Sequence, residues 1–178
     1  MTALAPDYVE PIEAWRLWAV GPDGHRLRLR SLLFAAVWAP GEPLVAGCQH
    51  RRRTLRRPWR AVATDHAAPE ERCHCGIYGV RDRTDARRYA ALPLPAWAVC
   101  RAIGRVALWG EVVEAELGWR ASSAYPLELY VAAPLGRSLG SRRARLEEVG
   151  VELAAYGVPV HFSDARFREL SVATPASR

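Results

Sequence analysis

The chain has 178 residues, half of them hydrophobic, and a formal net charge of +6, enough for one domain with a sizeable core. All 25 basic residues are arginine, which excludes a Schiff-base lysine and a phosphate-loop lysine. No stretch is apolar for long enough to span a bilayer, and the first residues lack the basic start and apolar run of a secretion signal, so a cytoplasmic protein with reduced thiols and no disulfide framework is expected.

Asparagine is missing along with lysine. That points to coding bias in a GC-rich genome, so the arginines are not read as individually chosen. Residues 1–13 read as a flexible lead-in, residues 14–170 as a single domain and residues 171–178 as a flexible tail.

Residues 14–20 and 25–31 flank Gly21-Pro22-Asp23-Gly24, and the second run alternates apolar residues with arginine. This predicts a β-hairpin. A short strand is expected over 34–38, stopped by Ala39-Pro40-Gly41-Glu42-Pro43, with a helix-like turn then carrying Cys48. Between Cys48 and His66 lies the segment 51–60, Arg-Arg-Arg-Thr-Leu-Arg-Arg-Pro-Trp-Arg. It holds six arginines and no acid, leaving 19 arginines against 19 acids elsewhere. The whole positive excess therefore sits there. Arg51, Arg52, Arg53, Arg56, Arg57 and Arg60, with the Trp59 indole beside them, suit a phosphate backbone with a base stacked on the ring. The plainer reading is a solvated loop.

Cys73-His74-Cys75-Gly76 carries the most chemistry. Two thiols one residue apart are hard to close on each other but both reach one metal ion. With Cys48 and His66 they make a set of three thiolates and one imidazole, for which zinc is the expected ion, since calcium and magnesium take oxygen ligands. His50 and His74 are rival fourth ligands: His50 opens the arginine run, and His74 is flanked by both proposed cysteines. Inert core cysteines and an iron–sulfur or redox role are the alternatives. Cys100, among Ala96, Trp97, Ala98 and Val99, reads as a buried thiol outside the site.

Residues 76–80 read as a strand leaving the metal turn, and residues 84–91 as a short helix ended by Pro93 and Pro95. The clearest sheet signal is 105–114 and 119–125 around Glu116-Leu117-Gly118, with Val106, Leu108 and Val112 on one face and Trp109, Glu111 and Val113 on the other. Residues 141–156 have helical spacing, a serine cap and Gly157 as a stop. Residues 158–162 read as a last strand, which Pro159 sends to a sheet edge. Together these predict an α+β fold: a mainly antiparallel curved sheet or small partly open barrel, with two helices and a metal-stabilised loop.

Two segments, Pro69-Glu70-Glu71-Arg72-Cys73-His74-Cys75-Gly76-Ile77-Tyr78 and the run from Gly104 through Trp109, Gly110 and Val113 to Gly118-Trp119-Arg120-Ala121 and Ala124-Tyr125-Pro126, resemble a group of uncharacterised bacterial proteins, mostly actinobacterial. The resemblance covers most of residues 14–160. It implies no activity.

Trp109, Trp119, Arg120 and Tyr125 are candidates for an aromatic ligand pocket, against the plainer reading of a tryptophan-rich core. A zinc nucleobase deaminase needs His-x-Glu and Cys-x-x-Cys, and neither is present. Asp65-His66 as nucleophile and base, or paired acids among Glu111, Glu114 and Glu116, would be the routes to catalysis. The expectation is a zinc-stabilised ligand-recognition protein contacting nucleic acid. A small-molecule enzyme and a protein-interaction module are the alternatives.

Overall fold

A computed structural model describes residues 10–32, 36–48, 66–89, 91–132 and 139–163. The arginine segment 51–60, with its Trp59, and the Asp65 and His50 candidates lie outside these residues.

The fold is built on one long hairpin, β6 (Cys100–Ala115) and β7 (Gly118–Ala132), joined by the two-residue turn Glu116-Leu117. Alternation drives it: Val106, Leu108 and Val112 are buried while Glu111 faces solvent, as the period of two requires. Register shifts at Arg105/Val106 and Trp109/Val112 bend the pair, and such irregularities let a sheet curl. The strands run past the expected 105–114 and 119–125 at both outer ends, because residues 100–104 and 127–132 continue to offer inward apolar side chains such as Ile103, Leu129 and Val131.

Along β6 runs β1 (Ile12–Asp23), antiparallel from Ile12↔Leu108 to Val20↔Cys100. Its far end pairs with β2 (Arg26–Arg30), and β2 with β3 (Val37–Trp38). The expected first hairpin is present, but Gly21 and Pro22 lie within β1. The reversal occurs at Gly24-His25, where Gly24 supplies a φ of 59°. Two short strands dock on β7: β4 (Leu44–Val45) opposite Ala124 and Ser123, and β5 (Ile77–Val80) opposite residues 118–121. β5 also meets β1 at Trp15↔Val80, so β1, β6, β7 and β5 form a partial ring. Gly118 permits that closure, since a Cβ there would lie 2.0 Å from the Gly79 carbonyl oxygen. β8 (Val160–Ser163) adds in parallel to the end of β7.

Among the described residues the sheet has eight strands, mostly antiparallel, and with two helices the architecture is α+β. α1 (Arg83–Tyr89) lies against β1 and β5, and α2 (Leu139–Ala154) against β2 and β8. α2 starts before Ser141, which is therefore inside the helix and not its cap. Gly157, with a φ of 68°, follows its end as expected. The core is filled by Trp18, Trp38, Leu29, Leu108 and Leu129, and the two indoles meet edge to face at 5.5 Å. Tyr156, just after α2, ties helix to sheet: its hydroxyl accepts from the Leu29 N–H at 3.0 Å and donates to the Trp38 carbonyl. Among the described residues no helix is long and apolar enough to cross a membrane.

Candidate metal centre

β7 is the common base of the site. On the edge of β7 opposite β6, β4 pairs with it and the Ala46 N–H donates to the Ser122 carbonyl at 2.7 Å, two residues before Cys48. The expected helix-like turn is not formed, because this backbone is engaged by the sheet. Farther along that same edge, Cys73 and Cys75 lie just before β5, which pairs with β7 through Ile77↔Ala121 and Tyr78↔Arg120. Segments far apart in sequence thus arrive next to each other along one edge of a single strand.

There the ligand atoms of Cys48, His66, Cys73 and Cys75 all lie within 4.8 Å of one another, a cluster able to hold a metal ion. Cys48 Sγ is 3.7 Å from Cys73 Sγ, and Cys75 Sγ is 3.5 Å from His66 Nε2. A tetrahedral ion with metal–sulfur bonds of about 2.3 Å and metal–nitrogen bonds of about 2.0 Å has S···S edges of about 3.8 Å and S···N edges of about 3.5 Å. The Cys48–Cys73 and Cys75–His66 pairs already stand at that spacing. No disulfide joins the four cysteines, and Cys100, buried in β6 opposite Val20, stays outside the cluster. Burial among apolar neighbours pushes its thiol up to about 12, so it remains protonated.

The Cys73-His74-Cys75 turn is held from behind. The Cys73 N–H donates to the Glu70 carbonyl at 3.0 Å, and the Tyr78 hydroxyl to the His74 carbonyl at 2.8 Å. Gly76 has a φ of 113°, and a Cβ on it would lie 2.9 Å from Pro69 Cβ and 3.1 Å from Arg120 Cβ, so only glycine fits between them. Arg120, 7 % exposed on β7, donates to the carbonyls of Glu70 at 3.2 Å, Cys75 at 3.0 Å and Cys73. One guanidinium thus fastens three carbonyls of the turn.

Charge completes the picture. Burial raises the Cys75 thiol above its usual range, with the neighbouring thiols of Cys73 and Cys48 adding to the rise and a backbone hydrogen bond at Glu70 opposing it. Crowded thiols resist ionising together unless a cation sits among them. Three thiolates around a divalent ion leave one net negative charge, and the Arg120 guanidinium behind the turn is its complement.

Trp109, Trp119, Arg120 and Tyr125, the candidates for an aromatic pocket, each serve a separate contact. Arg120 clamps the metal turn. Trp119 lies under Arg81, whose guanidinium carbon is 4.4 Å from the ring centre. Tyr125 bonds Tyr156 and Gly41 through its hydroxyl, and Trp109 is paired with Ser123 across the hairpin. None of them lines the cavity of about 540 Å³ that opens beside the metal turn, bounded by Arg16, Ser31, Leu44, Cys75, Tyr78 and Tyr89 among others. Nothing in the sequence marked Arg16, because its depth follows from the pairing of β1 with β6. Glu111, Glu114 and Glu116 are exposed, and Glu114 is paired with Arg81. Compared with models of known families, with curated proteins and with solved structures, the chain matches none.

Proposed function

We propose that the chain is a zinc-stabilised recognition protein that contacts nucleic acid through the arginine-rich stretch between Cys48 and His66. The observation that carries the reading is the set of four protein donors, three thiols and one imidazole, gathered within 4.8 Å of one another. Zinc is preferred because thiolates and imidazole in a closed set are its usual structural environment, whereas a catalytic centre keeps a position for water or substrate. Cys48 and His66 are also the two ends of the segment that contains all six clustered arginines. A metal joining those ends shortens the loop and lowers the entropy lost when it grips a polyanion.

Elemental analysis of protein purified without chelator should give one zinc per chain. Binding to single-stranded RNA and DNA at two salt concentrations should weaken steeply with salt. Replacing Arg51, Arg52, Arg53, Arg56, Arg57 and Arg60 by glutamine should keep zinc and fold while flattening that dependence, by about one in slope for each lost phosphate contact. Trp59→Ala should weaken single strands more than duplex. Absence of metal overturns the zinc reading, and absence of affinity at low salt overturns the nucleic-acid reading.

A further inference from the structure

We propose that the cavity beside the metal turn binds a monoanionic organic molecule, a carboxylate on an apolar or aromatic body, with Arg16 as the partner of its charge. This is separate from the nucleic-acid reading, which uses the segment between Cys48 and His66. At about 540 Å³ the cavity has the size of sites that enclose small metabolites, typically about 300 to 1,000 Å³. Its walls are mostly apolar, with Leu32, Leu44, Ile77 and Val80 joined by the aromatic rings of Trp15 and Tyr89. Such walls favour a hydrocarbon or ring, and a few convergent polar groups fix how it lies.

Arg16 is the polar group that stands out. It projects from β1, donates from Nη2 to the Ser31 hydroxyl at 3.1 Å and from Nη1 to the Tyr78 carbonyl, and its guanidinium carbon lies 5.1 Å from the Trp38 ring centre. Ser31 is itself buried and is held by the Trp38 indole N–H at 3.2 Å. The guanidinium is therefore fixed in place, but every oxygen it meets is neutral. Its Nε–H has no hydrogen-bond partner, and among the described residues no carboxylate lies within ion-pair distance. Arg26, Arg28, Arg81 and Arg105, by contrast, are each matched with a glutamate. Burial brings Arg16 down to about 10, so it is still charged at neutral pH. A charge held without a counterion in a low-dielectric recess attracts an anion far more strongly than one in water.

The same charge balance selects the class of anion. The other titratable groups on the walls are tyrosines, His74 and the thiols of Cys73 and Cys75. With metal bound, those thiolates belong to a cluster of net negative charge. A phosphate monoester would bring two negative charges to one arginine beside that cluster, whereas a carboxylate brings one and matches the planar fork of the guanidinium.

The test uses the zinc-loaded full chain, with octanoate, phenylacetate, phenylacetamide and phenyl phosphate as calorimetric probes. Both carboxylates should bind, and the amide and the phosphate should bind roughly tenfold more weakly or worse. Arg16→Met should lose the preference for acid over amide while keeping its zinc and its RNA affinity. Val45→Trp adds bulk at the cavity rim, on a side chain 69 % exposed. It should weaken all four probes, so the cavity is still tested if Arg16→Met fails to fold. No binding of either carboxylate at millimolar concentration overturns the proposal. Equal affinity for acid and amide, tighter or equal binding of the phosphate, or undiminished carboxylate binding in both variants does so too.

Discussion

Arg120 and Arg16 are both set into the walls of one curved sheet, without a carboxylate partner among the described residues, yet their surroundings differ. Arg120 meets three backbone carbonyls and stands behind a cluster that carries negative charge when metal is bound. Arg16 meets one carbonyl and one hydroxyl, leaves an N–H without a partner and borders open space. The first spends its Nη1 on the turn, whereas the second has no carboxylate partner among the described residues and is the one we propose for a ligand. Burial alone therefore does not separate a structural charge from a binding one. The difference lies in which of their hydrogen-bonding groups the protein uses.

The strongest way to break the comparison is to remove what Arg120 serves. Cys75→Ser should abolish stoichiometric metal and cost several kcal/mol, because binding free energy at such a site is also folding free energy. Elemental analysis and thermal unfolding read both effects. A Cys75→Ser protein with its metal and melting temperature intact would remove the basis for calling the turn a metal site.

Arg120→Leu tests the clamp without touching a ligand. Three carbonyls lose their donor and the cluster loses its countercharge, so destabilisation of about 3 kcal/mol is expected. Zinc affinity, measured by competition with a chelator, should fall about 10- to 100-fold, the usual cost of losing a group that orients metal ligands. Arg120→Lys keeps the charge but carries its nitrogen on a shorter stem, reaches the three carbonyls less well and should fall between the two proteins. Equal zinc affinity in all three would reduce Arg120 to a packing residue.

How much of this was legible in the sequence follows from which interactions are local. The cluster of four donors was readable, starting from Cys-x-Cys, which can chelate whatever surrounds it. The β6–β7 hairpin was readable from alternation around Glu116-Leu117-Gly118, and Cys100 from its apolar neighbours. The reversal at Gly24-His25 was misplaced, since Gly21 and Pro22 also carry turn chemistry and only the pairing Asp23↔Arg26 decides between them. The work of Arg120 was hidden because it depends on β5 lying beside β7, a pairing between residues about forty positions apart. Arg16 was hidden for the same reason: in sequence it is one more arginine in an alternating strand, and only the partial ring of β1, β6, β7 and β5 gives it depth.

The smallest effect expected is on the stability of Arg16→Met in the absence of ligand. Removing a charge that burial disfavours relieves desolvation, while two hydrogen bonds to neutral oxygens are lost. These oppose each other, so a change within about 1 kcal/mol of zero, of either sign, is expected. Arg120→Leu should be destabilised whether or not a carboxylate is present. The parent protein, however, should gain about 1.4 kcal/mol at a ligand concentration ten times the dissociation constant, and Arg16→Met should gain far less at that same concentration. Melting curves of the three proteins with and without octanoate thus separate a charge that holds the fold from one that holds a ligand. If Arg16→Met were as destabilised as Arg120→Leu and still gained the parent's increment from octanoate, the two arginines would both be structural and the contrast between them would fail.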